Sequence, residues 1–491
     1  MAMGDHMPVH LGSMPLSVQS VVEDSTLGPG DVAILNDPFS GGTHLPDITL
    51  VSPVHEASDG FSKPLFYVAC RAHHSDVGGM SPGSMPLSRD VFQEGVRIPP
   101  LKLYRAWKLN RDLARLFLCN VRTPLEREGD LAAQVGALQV GQKRLGRLAQ
   151  EDGRSTLNTS CRGLQDYAEK IMRQVIAGIP DGMYTAEDFL DDEAVELENS
   201  PGGSVRIRVS IQVLDSEMHI DFAGSDPQVR GCLNSVLAIT LSSVYYVLRC
   251  LAPSDAPSSA GLMRPVRLTA PVGSVVNARF PSATAAGNVE TVQRLVDVLL
   301  KALSQALPDR IPAASSGTMN NLTVGAVDPG GEGWACYYET IGGGMGASPR
   351  GKGDCGIHTH MTNSMNTPIE VLETYHPLRV QEYRLRPDSG GRGKFRGGNG
   401  IIRTLEILTD SQVTILSERR KHAPYGLQGG KAGKKGQNYL IVRGRRRRLP
   451  GKVSLSLGKG ALICIETPGG GGWGAVTRET PGRQTSHKNA G

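Results

Sequence analysis

The sequence predicts an α+β fold of several domains, with mixed β-sheets, a helical segment and a β-rich C-terminal part. Three observations lead there. The chain has 491 residues, enough for roughly two to four units with sizeable cores. Its hydrophobic period changes from short strand-like runs to helical spacing, then to strict alternation, then back to strands. The regular strand–helix alternation of a parallel sheet is missing.

Four parts are expected: 1–100, an N-terminal α/β part carrying candidate metal loops; 101–180, helical; 181–380, mixed α/β with a glycine-rich loop; and 381–491, β-rich. In the first, Val32–Leu35, Ile48–Val51 and Leu65–Ala69 are apolar runs bounded by Gly, Pro, Asn and Asp, the pattern of short buried strands. Leu109, Leu113, Leu116 and Phe117 then recur at helical spacing. Thr123-Pro124-Leu125-Glu126 reads as a hydroxyl N-cap, a first-turn proline and a capping-box glutamate. The helix that follows carries its stripe through Leu131, Val135, Leu138, Leu145 and Leu148. A third, with Leu164, Ala168, Ile171 and Val175 on one face, stops at Gly178 and Pro180. Val205, Ile207, Val209, Ile211 and Val213 alternate with polar residues and form a hairpin with Met218, Ile220 and Phe222. Val292, Leu295, Val296, Leu299 and Leu303 mark an amphipathic helix. Ile401–Leu408, Val413–Leu416, Tyr439–Val442, Val453–Leu457 and Leu462–Ile465 are strands.

Composition narrows the function classes. Hydrophobic residues make up 39% and charged residues 21%, as in soluble globular proteins, and a net charge of +5 names no nucleic-acid or membrane partner. The 60 glycines, about 12% against roughly 7% in average usage, fall in clusters that imply turns and backbone-lined sites. Eight cysteines form no CxxC pair, which speaks against a zinc ribbon or iron–sulfur cluster. No signal peptide and no membrane-length apolar run is visible. The expectation is a cytoplasmic protein with reduced thiols. Arg443-Gly444-Arg445-Arg446-Arg447-Arg448 lacks interleaved aromatics and reads as a solvated hairpin tip.

The chemistry concentrates in two loops. Asn36 to Asp47, NDPFSGGTHLPD, lies between two expected strands, and Arg71 to Gly79, RAHHSDVGG, ends a third. Each holds His-x-x-Asp: His44 with Asp47, and His73 with Asp76. Imidazole and carboxylate together suit a divalent metal, which lowers the pKa of bound water or polarises a carbonyl. Spacing alone fits a metal site and a pair of turn hydrogen bonds equally well. His6 and His10, four apart, are expected to be structural or at most to line the pocket. A second cluster, Gly342 to Gly346, precedes His358-Thr359-His360-Met361-Thr362-Asn363-Ser364-Met365-Asn366. It suits close backbone approach to an anionic or amide-bearing ligand, or else a tight loop between strands. Thr467 to Gly474, TPGGGGWG, lacks the lysine and hydroxyl of a P-loop.

Taken together, Met7 to Met14 (MPVHLGSM), the NDPFSGGTHLPD and RAHHSDVGG loops, Glu94 to Pro100 (EGVRIPP), Ala286 to Thr291 (AGNVET), HMTNSMNTPIE and the terminal TPGGGGWG resemble the hydantoinase B/oxoprolinase family. The family includes the B-type half of N-methylhydantoinase, the matching half of 5-oxoprolinase, and related parts of acetone and acetophenone carboxylases. The resemblance implies a two-part, ATP-dependent system. A hydantoinase A-type partner would bind ATP with magnesium and phosphorylate the substrate oxygen. This B-type part would complete ring opening of a cyclic amide such as 5-oxoproline or a hydantoin. Alternatives are a part of a ketone carboxylase and a non-catalytic scaffold for the partner.

The resemblance also implies a metal held by His44, Asp47 and His73, with manganese, zinc and iron undistinguished. His73 is favoured over His74 because many relatives replace the second histidine with tryptophan. His74 and Asp76 become candidates for catalytic support or general-base work. Gly343, Gly344, His360, Asn363 and Asn366 are expected to orient the substrate. Family members usually carry a helical segment ahead of the PVHLG motif. This chain starts almost at the motif, through a misassigned start or a true absence.

Overall fold

A computed structural model describes residues 7–55, 63–192, 203–327 and 333–476 and has the expected α+β character. The Val-Ala-Ile-Leu run Val32–Leu35 is buried throughout and sits third in a five-stranded antiparallel sheet. The order is Phe66–His73, Asp47–Val54, Val32–Leu35, Leu101–Arg105, Lys108–Leu109. Successive side chains point to opposite faces. Val32, Ile34, Ile48 and Leu50 therefore pack with Leu131, Val135 and Leu138 of the helix Pro124–Asp152. Ala33, Leu35 and Val51 pack with Val21 of the helix Met14–Asp24.

The helical segment differs from expectation in two details. Thr123 makes no N-cap bond; its hydroxyl accepts from Arg127 Nη1 at 3.3 Å instead. In the helix Arg154–Ala177 the buried face is Ala168, Met172 and Ile176, so the expected stripe was one residue out of phase after Ala168. Leu148 and Leu164 are exposed because both helices extend past the sheet they cover.

The hairpin Val205–Leu214 and Glu217–Asp221 forms as expected, inside a sheet ordered Gly182–Leu190, Val205–Leu214, Glu217–Asp221, Val266–Thr269, whose last pair is parallel. The strands Asn321–Val327 and Trp334–Glu339 join Ser411–Leu416 and Lys452–Leu457 in one sheet. Leu322, Val324 and Tyr337 share a core with Ile401, Leu405, Ile463 and Ile465 of the neighbouring sheet. Position 380 is thus not a packing boundary, because backbone pairing carries the expected third part into the fourth. The arginine run lies on an exposed edge strand, Arg445–Leu449, with only Arg443-Gly444 at the turn. No described helix is long and apolar enough to cross a membrane.

The helix Val292–Leu303 is central rather than amphipathic: every residue except Lys301 is buried. Its polar side is satisfied by ion pairs instead of water. Arg294 Nη1 lies 3.2 Å from Asp188 and 3.5 Å from Asp297, and Nη2 lies 3.7 Å from Glu418. Arg419 reaches Asp188 at 2.8 Å, and Lys452 reaches Glu418. The cluster ties the hairpin sheet, the central helix and the C-terminal sheets together. Removing one partner of such a buried set leaves uncompensated charge. Arg294→Ala is expected to cost about 3–5 kcal/mol, read as a lower urea midpoint with secondary structure retained below the transition.

Glu290, just before this helix, is fully buried beside the cluster. Burial first, and then the Glu418 carboxylate, push its pKa up to about 8. The fold therefore holds a proton that the unfolded chain releases near its ordinary value of 4.5. That contribution to stability is complete below the unfolded value and is lost as pH rises through about 8. Glu290→Gln, which keeps a neutral amide there, should flatten the fall in unfolding midpoint across the range from the unfolded value to just above the folded one.

Candidate metal centre

Asp47 opens one strand and His73 closes its antiparallel neighbour, and the two are directly paired. Their side chains leave the same face of the sheet. His44, three residues before Asp47, is completely buried and folds back onto it. His44 Nε2 lies 3.3 Å from His73 Nδ1 and 3.3 Å from Asp47 Oδ2, while His73 Nδ1 lies 3.4 Å from Asp47 Oδ1. Metal bonds of about 2.0–2.1 Å in a tetrahedral arrangement put donors roughly 3.3 Å apart. The observed separations match that spacing. The two imidazoles and one carboxylate suit zinc, manganese or iron and leave coordination positions open.

Neighbours fix each donor. The Ala285 carbonyl sits 3.2 Å from His44 Nδ1 and takes its proton, leaving the Nε2 lone pair facing Asp47. Ala285 is itself held by buried Glu94, which accepts from the Ala285 and Thr284 amides at 2.9 and 2.8 Å. Asp47 Oδ2 accepts from Thr43 and from Asn288 Nδ2, the latter at 3.1 Å. Burial opposes ionisation of Asp47, yet the His44 and His10 imidazoles, with hydrogen bonds from His44 and His73, hold its pKa well below the usual carboxylate range. Burial also lowers His73 against the pull of Asp47, and lowers His10 to about 3. These two rings are therefore neutral near pH 7, the form that offers a lone pair to a metal.

A cavity of about 200 Å³ opens on the centre. Besides Asp47 and His73 it is lined by Met7, Val9, His10, Asn288, Val289, Met319, Tyr338, Thr340, Met361, Thr362 and Ser364. The Tyr338 ring packs on His73 with centroids 4.8 Å apart. Arg71, two residues before His73 on the same strand face, bonds Thr49, Ser13 and Ser17 and reaches His10 Nδ1 at 3.4 Å. His10 thus belongs to the cavity wall, whereas His6 lies outside the described residues.

The structure brings His44, Asp47 and His73 together but leaves other expected residues elsewhere. His74 faces the opposite side of its strand, because neighbours on a strand alternate. It bonds Gln134 at 3.0 Å and packs against Phe117. Asp76 is buried as a loop brace, accepting from the Gly78 amide and from the Arg122 amide and guanidinium, each at 3.0 Å. Neither touches the cavity.

Gly343 and Gly344 are packing positions. A Cβ on Gly343 would lie 2.4 Å from Ser316 Cβ, and one on Gly344 2.0 Å from the Gly398 oxygen. His360 accompanies Tyr246 at 3.2 Å. Asn366 bonds Glu339 and the Thr340 carbonyl at 2.9 and 2.8 Å. Asn363 is exposed, and none of these three lines the cavity. The expected segment is nonetheless at the site, through Met361, Thr362 and Ser364. Tyr338 carries no motif that marks it in the sequence, while Asn288 was visible only within AGNVET.

Comparison with known proteins agrees with this arrangement. The Hydantoinase B/oxoprolinase family matches residues 1–476. The B-type chain of a D-/L-hydantoinase of Pseudomonas sp., so named by similarity, is 31% identical, over 96% of this chain and 81% of its own. The 5-oxoprolinase 1 of Arabidopsis thaliana is 35% identical over 96% of this chain, which spans only 38% of that protein's length. The crystal structure of ATP-dependent caprolactamase from Pseudomonas jessenii superposes with a TM-score of 0.87 at 28% identity, covering 96% of this chain and 83% of that one. The chain belongs to the hydantoinase B/oxoprolinase family.

Proposed function

We propose that this chain is the B-type part of an ATP-dependent cyclic amide hydrolase, working with an ATP-binding A-type partner and holding one divalent metal. The observation that carries the reading is the His44, Asp47 and His73 centre opening directly on a cavity of about 200 Å³. Relatives named as the B-type chain of a hydantoinase and as 5-oxoprolinase, and a structural neighbour named ATP-dependent caprolactamase, support it. The missing P-loop motif fits a division in which ATP is handled by another chain.

A cyclic amide resists water because the nitrogen lone pair delocalises into the carbonyl. ATP-driven phosphorylation of its oxygen, assigned here to the partner, turns that oxygen into a leaving group. A divalent ion held by His44, Asp47 and His73 would supply Lewis acidity and a water acidified for attack. The chain's own residues do the rest. The buried wall of Val9, Val289, Met319 and Met361 keeps bulk water out, so polar contacts inside gain strength. Asn288 and Thr43 keep the Asp47 carboxylate from rotating. His10, neutral and lining the cavity, is in place to take or return a proton near the reacting atoms.

The test is coexpression with the A-type partner, followed by metal analysis and ATP-dependent ring opening. His44→Ala and His73→Ala should each lose bound metal and at least about 100-fold in turnover, with circular dichroism unchanged. Asn363→Ala, outside the cavity, should keep both. Full turnover in the two histidine variants would leave a scaffold for the partner as the better account.

A further inference from the structure

The cavity wall says more about the substrate than the metal centre does. Among the described residues no lysine or arginine lines it, and Asp47 is its one ionised side chain. The lining histidines His10 and His73 are held neutral by burial. A ring bearing a carboxylate would enter a space walled by Met319, Met361 and Val289 with no protein cation to receive it. Burying an unpaired carboxylate beside another one is strongly unfavourable.

The wall does offer hydrogen-bond partners of another kind. Asn288 Oδ1 and Thr340 Oγ1 are buried, and neither has a partner. The Asn288 orientation is fixed, since its Nδ2 donates to a carboxylate that can only accept. Its free oxygen is therefore an acceptor, while the Thr340 hydroxyl has a proton to donate. A secondary amide presents the complement: one N–H and one C=O. We infer that the cavity is selective for an uncharged cyclic amide, an unsubstituted or alkylated lactam or hydantoin ring, over the carboxylate-bearing 5-oxoproline, with Asn288 Oδ1 receiving the ring N–H and Thr340 Oγ1 donating to the carbonyl. This rests on the ring-opening reading above and decides between the substrates that reading admits.

Pyrrolidin-2-one and 5-oxoproline differ only by the carboxylate, so they are the probes. Binding to the zinc-loaded chain, measured by ligand-observed NMR titration at pH 7, should favour pyrrolidin-2-one by at least about tenfold. Thr340→Val, which keeps the volume and removes the hydroxyl, should weaken that ring severalfold and leave metal content unchanged. Ser364→Arg places a cation on the half-buried part of the wall and should move the preference toward 5-oxoproline. Ser364→Gln, of intermediate size and uncharged, should not. Equal or tighter binding of 5-oxoproline by the unaltered chain, or no binding of either ring, overturns the inference. If the rings bind in the expected order but the complete ATP-supplied complex opens none, the hydrolase reading fails while the selectivity stands.

Discussion

Asp47 is 1% exposed and still ionised. An anion so far from water survives only where several donors and positive ring edges face it at once. Those donors come from widely separated stretches of chain: Thr43 and His44 from its own loop, His73 from the next strand, His10 from the N-terminal segment and Asn288 from the middle of the sequence. Satisfying one carboxylate therefore requires the N-terminal sheet, the short N-terminal turn and the segment before the central helix to meet at one point. The same crowding pushes the imidazoles toward their neutral, metal-binding form. Charge on the acid and neutrality of the bases are two sides of one arrangement.

The sheet geometry explains why the centre faces one way only. Arg71 and His73 leave one face of their strand, beside Thr49 and Asp47 on the paired strand. Cys70 and His74 leave the other and meet Gln134 of the long helix. A doublet of histidines at a strand end thus has two fates, one ring on the cavity and one in the helix interface. Asp76, past the end of the strand, is committed to Arg122 and to two glycine amides of its own loop. Its charge locks the loop rather than serving the cavity.

Much of this was legible in the sequence, and what was not has a physical reason. The strands around the centre and the trio His44, Asp47 and His73 follow from apolar runs ending in His-x-x-Asp loops. Strict alternation in Val205–Leu214 gave that hairpin directly, because one of its faces is buried and the other wet. The helix Val292–Leu303 was recognisable as a helix, but its burial was not. Gln293, Arg294 and Asp297 look like a solvated face until ion partners arrive from residues 188 and 418–419. The glycine clusters misled for a related reason. Gly344, Gly398 and Gly470 are far apart in sequence and touch backbone to backbone, leaving no room for a Cβ. Composition reveals that something must approach closely but not whether it is a ligand or another strand of the same chain.

The central ion cluster and the metal centre are joined by a continuous set of bonds. Tyr338, packed on His73, donates its hydroxyl to Asn321 Oδ1 at 2.9 Å. Asn321 Nδ2 donates to Glu290 Oε1 at 2.7 Å, and the Met319 amide donates to the same oxygen at 3.1 Å. Two walls of the cavity, Met319 and Tyr338, therefore rest on one buried glutamate. Glu290 lies in the turn of backbone that also presents Asn288 to Asp47 and leads into the central helix. A displacement of that turn would move Asn288, Met319 and Tyr338 together. The AGNVET segment thus acts as the keystone between an interior held by ion pairs and a cavity whose chemistry depends on the fixed positions of its donors.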